Sequence, residues 1–412
     1  MDNVTHALIS VMVGETVHRA LPPSAVLSDR ARRTVAITVM VVGGNLPDAD
    51  VLYTTWAGTT LDYLLHHRGH THTIPGALGL SLLLFLAVRL WWWRRKITPR
   101  PADTWFLAGL SVLATLLHIA LDLTNNYGVH PFWPLDNRWY YGDAVFIIEP
   151  LLWACCSVLL FVLPSRTWRI LIALVLTAGL GLSWFSGFVP LSMAALLTVL
   201  TAGLAAASRF APPRVALAAG VAAWLALTAT FVITSRTAES RFEALLTDYF
   251  PQTRTLDVVL TPMPADPLCR EVLAVQRSGD QYVVRRAFHS LTPGWIPARR
   301  CAEMYPGGTP DPTARLTPIA QPSTDEVNWA GELTIPATLL ADLGSEYCAV
   351  GALLQFARAP WVVPKGDGWI VGDLRFDREP GLGLAEVEVG PGQDECPRLP
   401  APWVPPREDL LD

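Results

Sequence analysis

Residues 74 to 93, IPGALGLSLLLFLAVRLWWW, decide the fold: an apolar run of this length is what an α-helix needs to cross the hydrocarbon of a bilayer. Similar runs follow at 104 to 123, 144 to 163, 168 to 187, 190 to 207 and 214 to 235. Residues 5 to 21 and 34 to 47 are shorter, the second being loosened at Gly43-Gly44 and stopped by Pro47. No basic residue precedes the first run, so it reads as a retained helix and not as a cleaved leader. The expectation is an α-helical integral membrane domain over residues 1–235, with about eight segments, six of them full length. Composition agrees, since 51% hydrophobic and 16% charged residues over 412 positions is too apolar for an ordinary soluble enzyme.

Beyond residue 235 the long apolar runs stop. Short alternating pieces such as Asp257 to Thr261, Gln281 to Arg286, Trp369 to Phe376 and Leu384 to Val389, separated by Pro and Gly, predict a small β-rich domain over 236–390. Ala337 to Ala357 reads as one or two helices broken at Gly344. Residues 391–412 are proline-rich and read as disordered.

Lysine and arginine are retained on the cytoplasmic side of a membrane, and here they alternate strongly. Connections carrying Arg19, Arg30, Arg32 and Arg33, then Arg94, Arg95, Lys96 and Arg100, then Arg166 and Arg169, then Arg209 and Arg214 are interleaved with connections holding only Arg68 and Arg138. The chain is therefore expected in the cytoplasmic membrane, multi-pass, with Met1, residues 48 to 73, residues 124 to 143 and the C-terminal domain outside. Trp91, Trp92 and Trp93 fit an inner interfacial anchor. A formal charge of -5 without a basic patch argues against nucleic acid as a partner and leaves the bilayer. Cys269, Cys301, Cys348 and Cys396 lie in the exported region and permit up to two disulfides in any of three pairings.

Four of the nine histidines fall in His66-His67-Arg68-Gly69-His70-Thr71-His72. On the expected topology this stretch shares one membrane face with Asp2 and His6, with Asn45, Asp48 and Asp50, with His118 and Asp122 one helical turn apart, and with His130, Asp143 and Glu149. Each has an ordinary structural explanation: HxxxD arises by chance, Asp48 and Asp50 beside Pro47 suit a helix end, and Glu149 before Pro150 suits a cap. Five separate segments converging on one face is harder to explain that way, because ionisable groups beside a bilayer are costly. Imidazole and carboxylate are the ligands zinc takes from proteins. His18 belongs to the opposite face and His289 stands alone in the tail.

The segments DNVTHA (2 to 7), NLPDAD (45 to 50), HRGHTHT (67 to 73) and HIALD (118 to 122) resemble the motifs of the YdjM-type membrane-bound, predicted metal-dependent hydrolases. LTPMPADPLCREVLAV (260 to 275) and APWVVPKGDGWIVGDLRF (359 to 376) are similar to tail segments seen in many of these proteins. The resemblance implies a divalent transition metal, zinc before others, in a mono- or dinuclear site. It points to His6, Asp48, His67, His72, His118 and Asp122 as metal positions, while His66 and His70 are additional histidines that leave the set open. Arg68 would act beside the metal as an anion clamp, with Asp48 as the second catalytic group, on a phosphate or acyl ester of a lipid-like substrate. The order of His, Asp, His and HxxxD is loosely similar to that of the helical zinc phospholipases C, an analogy only. Neither GxSxG nor HExxH is present. The alternatives are an ion-coupled transporter with a His/Asp relay, which would need ionisable groups near mid-bilayer where the later segments have only Glu149, and a non-catalytic membrane scaffold.

Overall fold

A computed structural model of the chain describes residues 1–304, 316–376 and 383–410. Its first part is a bundle of helices: α1 (Asn3–Ala20), α2 (Asp29–Gly43), α3 (Asp50–Ala57), α4 (Thr60–His66), α5 (Ile74–Arg94), α6 (Pro101–Asp122), α7 (Pro150–Cys155), α8 (Leu159–Val162), α9 (Arg166–Phe185), α10 (Leu191–Phe210) and α11 (Pro213–Tyr249). Five of these, α5, α6, α9, α10 and α11, are long and apolar enough to cross a bilayer, and α2 with the helical segment after it makes a sixth if the bent pair is one span. Residues 144 to 163, expected as a full span, do not form one. The chain stays non-helical up to Glu149, whose carboxylate caps the backbone N–H of Leu151, and the short helical stretch that Pro150 opens ends before Pro164.

The bend between α2 and α3 is 47° and follows from GGNLPDAD. A Cβ on Gly43 would stand 2.7 Å from that of Ala114, and one on Gly44 would collide with the Ser10 hydroxyl, so α1, α2 and α6 pass too closely here for any side chain. Pro47 then opens a 3-10 turn, Pro47–Ala49, that brings Asp48 to His118 of α6 and Asp50 to His67 and Thr71 of the histidine loop.

The C-terminal part holds two antiparallel sheets. The first has the order β1-β2-β3-β4, from Arg254–Met263, Asp266–Ser278, Gln281–Ser290 and Val327–Pro336. The second is β5-β6-β7, from Pro360–Lys365, Gly368–Asp373 and Glu386–Val389. Between them lie α13 (Ala337–Glu346) and α14 (Cys348–Leu354), with α12 (Ala298–Glu303) earlier in the chain. The break between α13 and α14 falls at Tyr347, which is extended, and Gly344 stays helical. Disulfides join Cys269 to Cys301 and Cys348 to Cys396.

Three features seat this part on the bundle. Helix α11 has 37 residues, about 55 Å at 1.5 Å per residue, so it extends past the bilayer and lays Ala238, Phe242 and Leu246 on Val258, Leu260 and Val272 of the first sheet. A second apolar core mixes Leu61 and Leu64 of α4 and Tyr127 from the connection after α6 with Leu353, Phe356 and Trp361 from the tail. The proline-rich residues after 391, which composition reads as disordered, lie along the bundle as a strap up to Leu410. The backbone N–H of Leu399 donates to Asp62 at 2.8 Å, that of Val404 donates to Asn137 O at 3.2 Å, and the Trp403 indole donates to Leu65 O. These partners are distant in sequence, so local composition carries no sign of them. At the other end of the bundle Glu15 pairs with Arg19 at 2.6 Å and Arg33 at 3.2 Å, and His18 with Asp29 at 3.2 Å. The basic connections and the histidine loop therefore lie at opposite ends.

Candidate metal centre

Helix α6 supplies His118 and Asp122 from one face, as their spacing requires. His118 Nδ1 lies 2.8 Å from Gly44 O. A carbonyl only accepts, so Nδ1 carries the proton and Nε2 presents its lone pair to the interior. That Nε2 lies 3.0 Å from His72 Nε2, 3.4 Å from Asp48 Oδ1 and 3.3 Å from Asp122 Oδ2. His72 Nε2 is in turn 3.4 Å from Asp48 Oδ1 and 3.1 Å from Asp122 Oδ2. Two imidazole nitrogens and two carboxylates thus converge within 4.8 Å of one another, with His72, His118 and Asp122 fully buried.

A second group shares Asp48 and adds Asp50 and His67. His67 Nδ1 is 3.0 Å from Asp50 Oδ1, while Asp50 Oδ2 accepts from the Arg68 backbone N–H at 3.0 Å and the Thr71 hydroxyl at 2.8 Å. These bonds hold Arg68 in the left-handed region, at φ 63°, a conformation that non-glycine residues keep only where their surroundings impose it. Burial opposes charge on His72, yet its hydrogen bonds to Asp122, Asp48 and Asp50 hold its pKa up at about 10, so the pocket favours a cation at that point.

The other residues singled out by sequence fall into three places. His6 stacks on His118 with ring centres 3.8 Å apart and places Nε2 3.3 Å from Asp122 Oδ1, beside the cluster and not among its converging atoms. His66, His70 and His130 turn the other way, toward the strap: His66 Nε2 lies 3.3 Å from Leu399 O, and Trp403 packs at 3.7 Å from the His130 ring and 5.1 Å from that of His70. Burial pushes the His130 imidazole down to about 3. Asp2 caps α1, Asn45 donates to Val41 O, Asp143 pairs with Arg358, and Glu149 also accepts from Ala265 N, so these serve the fold. Asn125, which accepts from Arg68 Nη1 at 2.8 Å, was missed; an asparagine after a helix end looks like any turn residue. Arg68 Nη2 lies 3.2 Å from Asp122 Oδ1, which also accepts from the amino group of Met1.

Residues 1–189 match the YdjM inner membrane protein family. The YdjM region contains every residue of the candidate centre and ends in the connection after α9, so α10, α11 and the tail lie outside it. Over 152 residues the chain is 27% identical to the uncharacterized protein YfhP of Bacillus subtilis (strain 168). That stretch covers 37% of this chain and 43% of YfhP, less than half of the relative's length. No solved structure matches. With its apolar helices and its YdjM region, the chain is a multi-pass membrane protein.

Proposed function

We propose that the protein is a membrane-bound metal-dependent hydrolase acting at the outer membrane face on a phosphate or acyl ester of a lipid-like substrate. The observation that carries this reading is the convergence of Asp48, His72, His118 and Asp122 in a buried pocket with too little fixed positive charge for its carboxylates. A mixed imidazole and carboxylate set suits zinc and related borderline metals. The residues fit such an ion: the backbone carbonyl behind His118 fixes the tautomer that can ligate, and Thr71 and the Arg68 N–H hold Asp50 in place. Because Asp48 belongs to both groups, a second ion would lie with Asp50 and His67 and share that carboxylate.

A bound metal of this kind supplies a water of lowered pKa and polarises an ester oxygen. The chain's own groups do the rest. Asp48 keeps 9% of its side chain exposed, against none for Asp50 and Asp122, so it is the carboxylate that a water proton can reach. Arg68 holds an anionic group of the substrate beside it. The outer location rests on the clustering of arginine and lysine at the other end of the bundle. The test is metal analysis of the purified full-length protein, paired with hydrolysis assays on chromogenic phosphate and acyl esters. The expected result is one or two transition-metal ions per chain and turnover that a chelator stops. Protein purified without chelator that contains no stoichiometric metal overturns the reading.

A further inference from the structure

A cleft of about 170 Å³ runs between the bundle and the tail and ends on the candidate centre. At its inner end are Arg68 and Asn125, each 2% exposed. Arg68 uses Nη1 on Asn125 Oδ1 and Nη2 on Asp122, but its Nε has no partner, and neither has Asn125 Nδ2. Two buried N–H donors without acceptors, on neighbouring residues that line one cleft, are costly, and such orphans usually await a ligand, water or ion. The outer end is apolar and is built from both parts of the chain: Ile147 from the connection into α7, Pro262 from β1, and Phe376 and Leu384 from around β6 and β7. Ile147 and Leu384 are each 43% exposed, and the chain passes directly from Ile147 and Ile148 into the apolar α7.

We propose that this cleft seats the phosphate of a lipid phosphomonoester, with the phosphate on Arg68 Nε and Asn125 Nδ2 and the hydrocarbon leaving past Ile147, Phe376 and Leu384. A phosphate offers charged terminal oxygens to both donors and still faces the metal centre, whereas a neutral acyl ester brings only uncharged, weaker acceptors to them. The volume is below that of pockets enclosing a drug-sized ligand, so it takes a headgroup and leaves the chains in the bilayer. Hydrolysis there breaks the bond between phosphorus and the lipid oxygen and forms one to the oxygen of water, and a proton of that water goes to the departing alkoxide. The inference rests on the metal reading, because Asp48, Asp50 and Asp122 would repel a phosphate unless a cation lies on them.

The test is titration calorimetry on the detergent-purified full chain, with metal measured on the same sample, using methylphosphonate, hexylphosphonate and hexanol. These probes separate the headgroup from the chain, and hydrolysis cannot consume them. Hexylphosphonate is expected to bind at least tenfold tighter than methylphosphonate, and hexanol not to bind. Arg68→Gln should weaken both phosphonates at least tenfold with metal content unchanged; Asn125→Asp, nearly isosteric, removes one donor and should do the same if the arginine variant fails to fold. Leu384→Asp, at an exposed position, should erase only the advantage of the longer chain. Metal-replete protein that binds neither phosphonate, or binds both equally, overturns the lipid phosphate and leaves the metal centre standing. Metal-free protein that binds neither overturns both readings, while metal-free protein that still prefers hexylphosphonate supports the cleft and overturns the metal.

Discussion

Two sets of three carboxylates, buried or half-buried, lie where the bundle meets the tail, and they are neutralised differently. Asp143, Asp257 and Asp373 face guanidinium groups: Arg358 reaches Asp143 and Asp257, each at 2.7 Å, and Arg375 reaches Asp373 at 2.7 Å. Asp48, Asp50 and Asp122 face His67, His72 and His118, with Arg68 as the fixed cation from a side chain. Guanidinium keeps its charge at every physiological pH and cannot ligate a metal, whereas an imidazole can give up its proton and offer a lone pair to an ion. Both sets incur the desolvation cost of buried charge, but only the first is answered wholly by guanidinium groups, while the second relies on imidazoles, Arg68 and the Met1 amino group. The first is a fastener, since Asp143 belongs to the bundle loops and Arg358 to the tail. The second leaves a deficit that an exchangeable cation can fill.

The largest expected effect breaks the second set. Asp122→Ala or His72→Ala should abolish stoichiometric metal and any hydrolysis. His118→Ala should act likewise, and His67→Ala should remove at most one of two ions. His18→Ala and His289→Ala should leave metal content as it is. Elemental analysis of the purified variants decides this, and unchanged content in all of the first four would place the ion elsewhere.

Breaking the first set should act on stability instead. Arg358→Met leaves Asp143 and Asp257 buried without their main partner, a loss of about 3–5 kcal/mol. Thermal unfolding and limited proteolysis should report a loosened tail at normal metal content, and adding Asp143→Asn should restore part of the loss.

His289 sharpens the contrast, because it is a buried imidazole without a carboxylate against it. Its Nδ1 lies 3.1 Å from Glu326 O, and burial lowers its pKa from 6.5 to about 4 despite that hydrogen bond. The neutral ring is therefore the folded form, with its contribution complete above pH 6.5 and lost as the pH falls toward 4. This makes the tail acid-sensitive by up to about 3 kcal/mol. His289→Gln should flatten the pH dependence of tail unfolding in that window; an unchanged profile would assign the sensitivity to other groups.

The smallest effect is expected where the histidine loop turns away from the centre. His66→Ala and His70→Ala should each cost about 1 kcal/mol through the strap contacts and spare the metal. Loss of metal in either would reverse the division of the loop drawn above.

Much of this architecture was legible in the residues. The full-length helices show because a bilayer imposes a length, and the gathering of HRGHTHT, NLPDAD and HIALD at one end follows from the alternation of arginine and lysine between connections. The shortness of the helix after Glu149 was not legible, because residues 144 to 163 are apolar whether they face lipid or pack under the tail. Nor was the split of the histidine loop. His66, His67, His70 and His72 are chemically identical, and their directions are set by a turn through the left-handed Arg68 and by a strap more than 300 residues away. Asn125 and the strap share that character, since their partners come from tertiary structure alone.

Helix α11 runs from the membrane into the sheet without a break, and this fixes a rotational phase between the two. Each residue of an α-helix turns its direction by about 100°, so one residue added near Arg236 would swing the sheet roughly a quarter turn off the histidine loop. Seven added residues would nearly restore the facing but lift the sheet about 10 Å along the helix axis. The tail is thus keyed to the bundle by both angle and height, as a cap is to a threaded neck. Length changes in this helix should separate the two walls of the cleft while leaving every ligand of the metal centre in place.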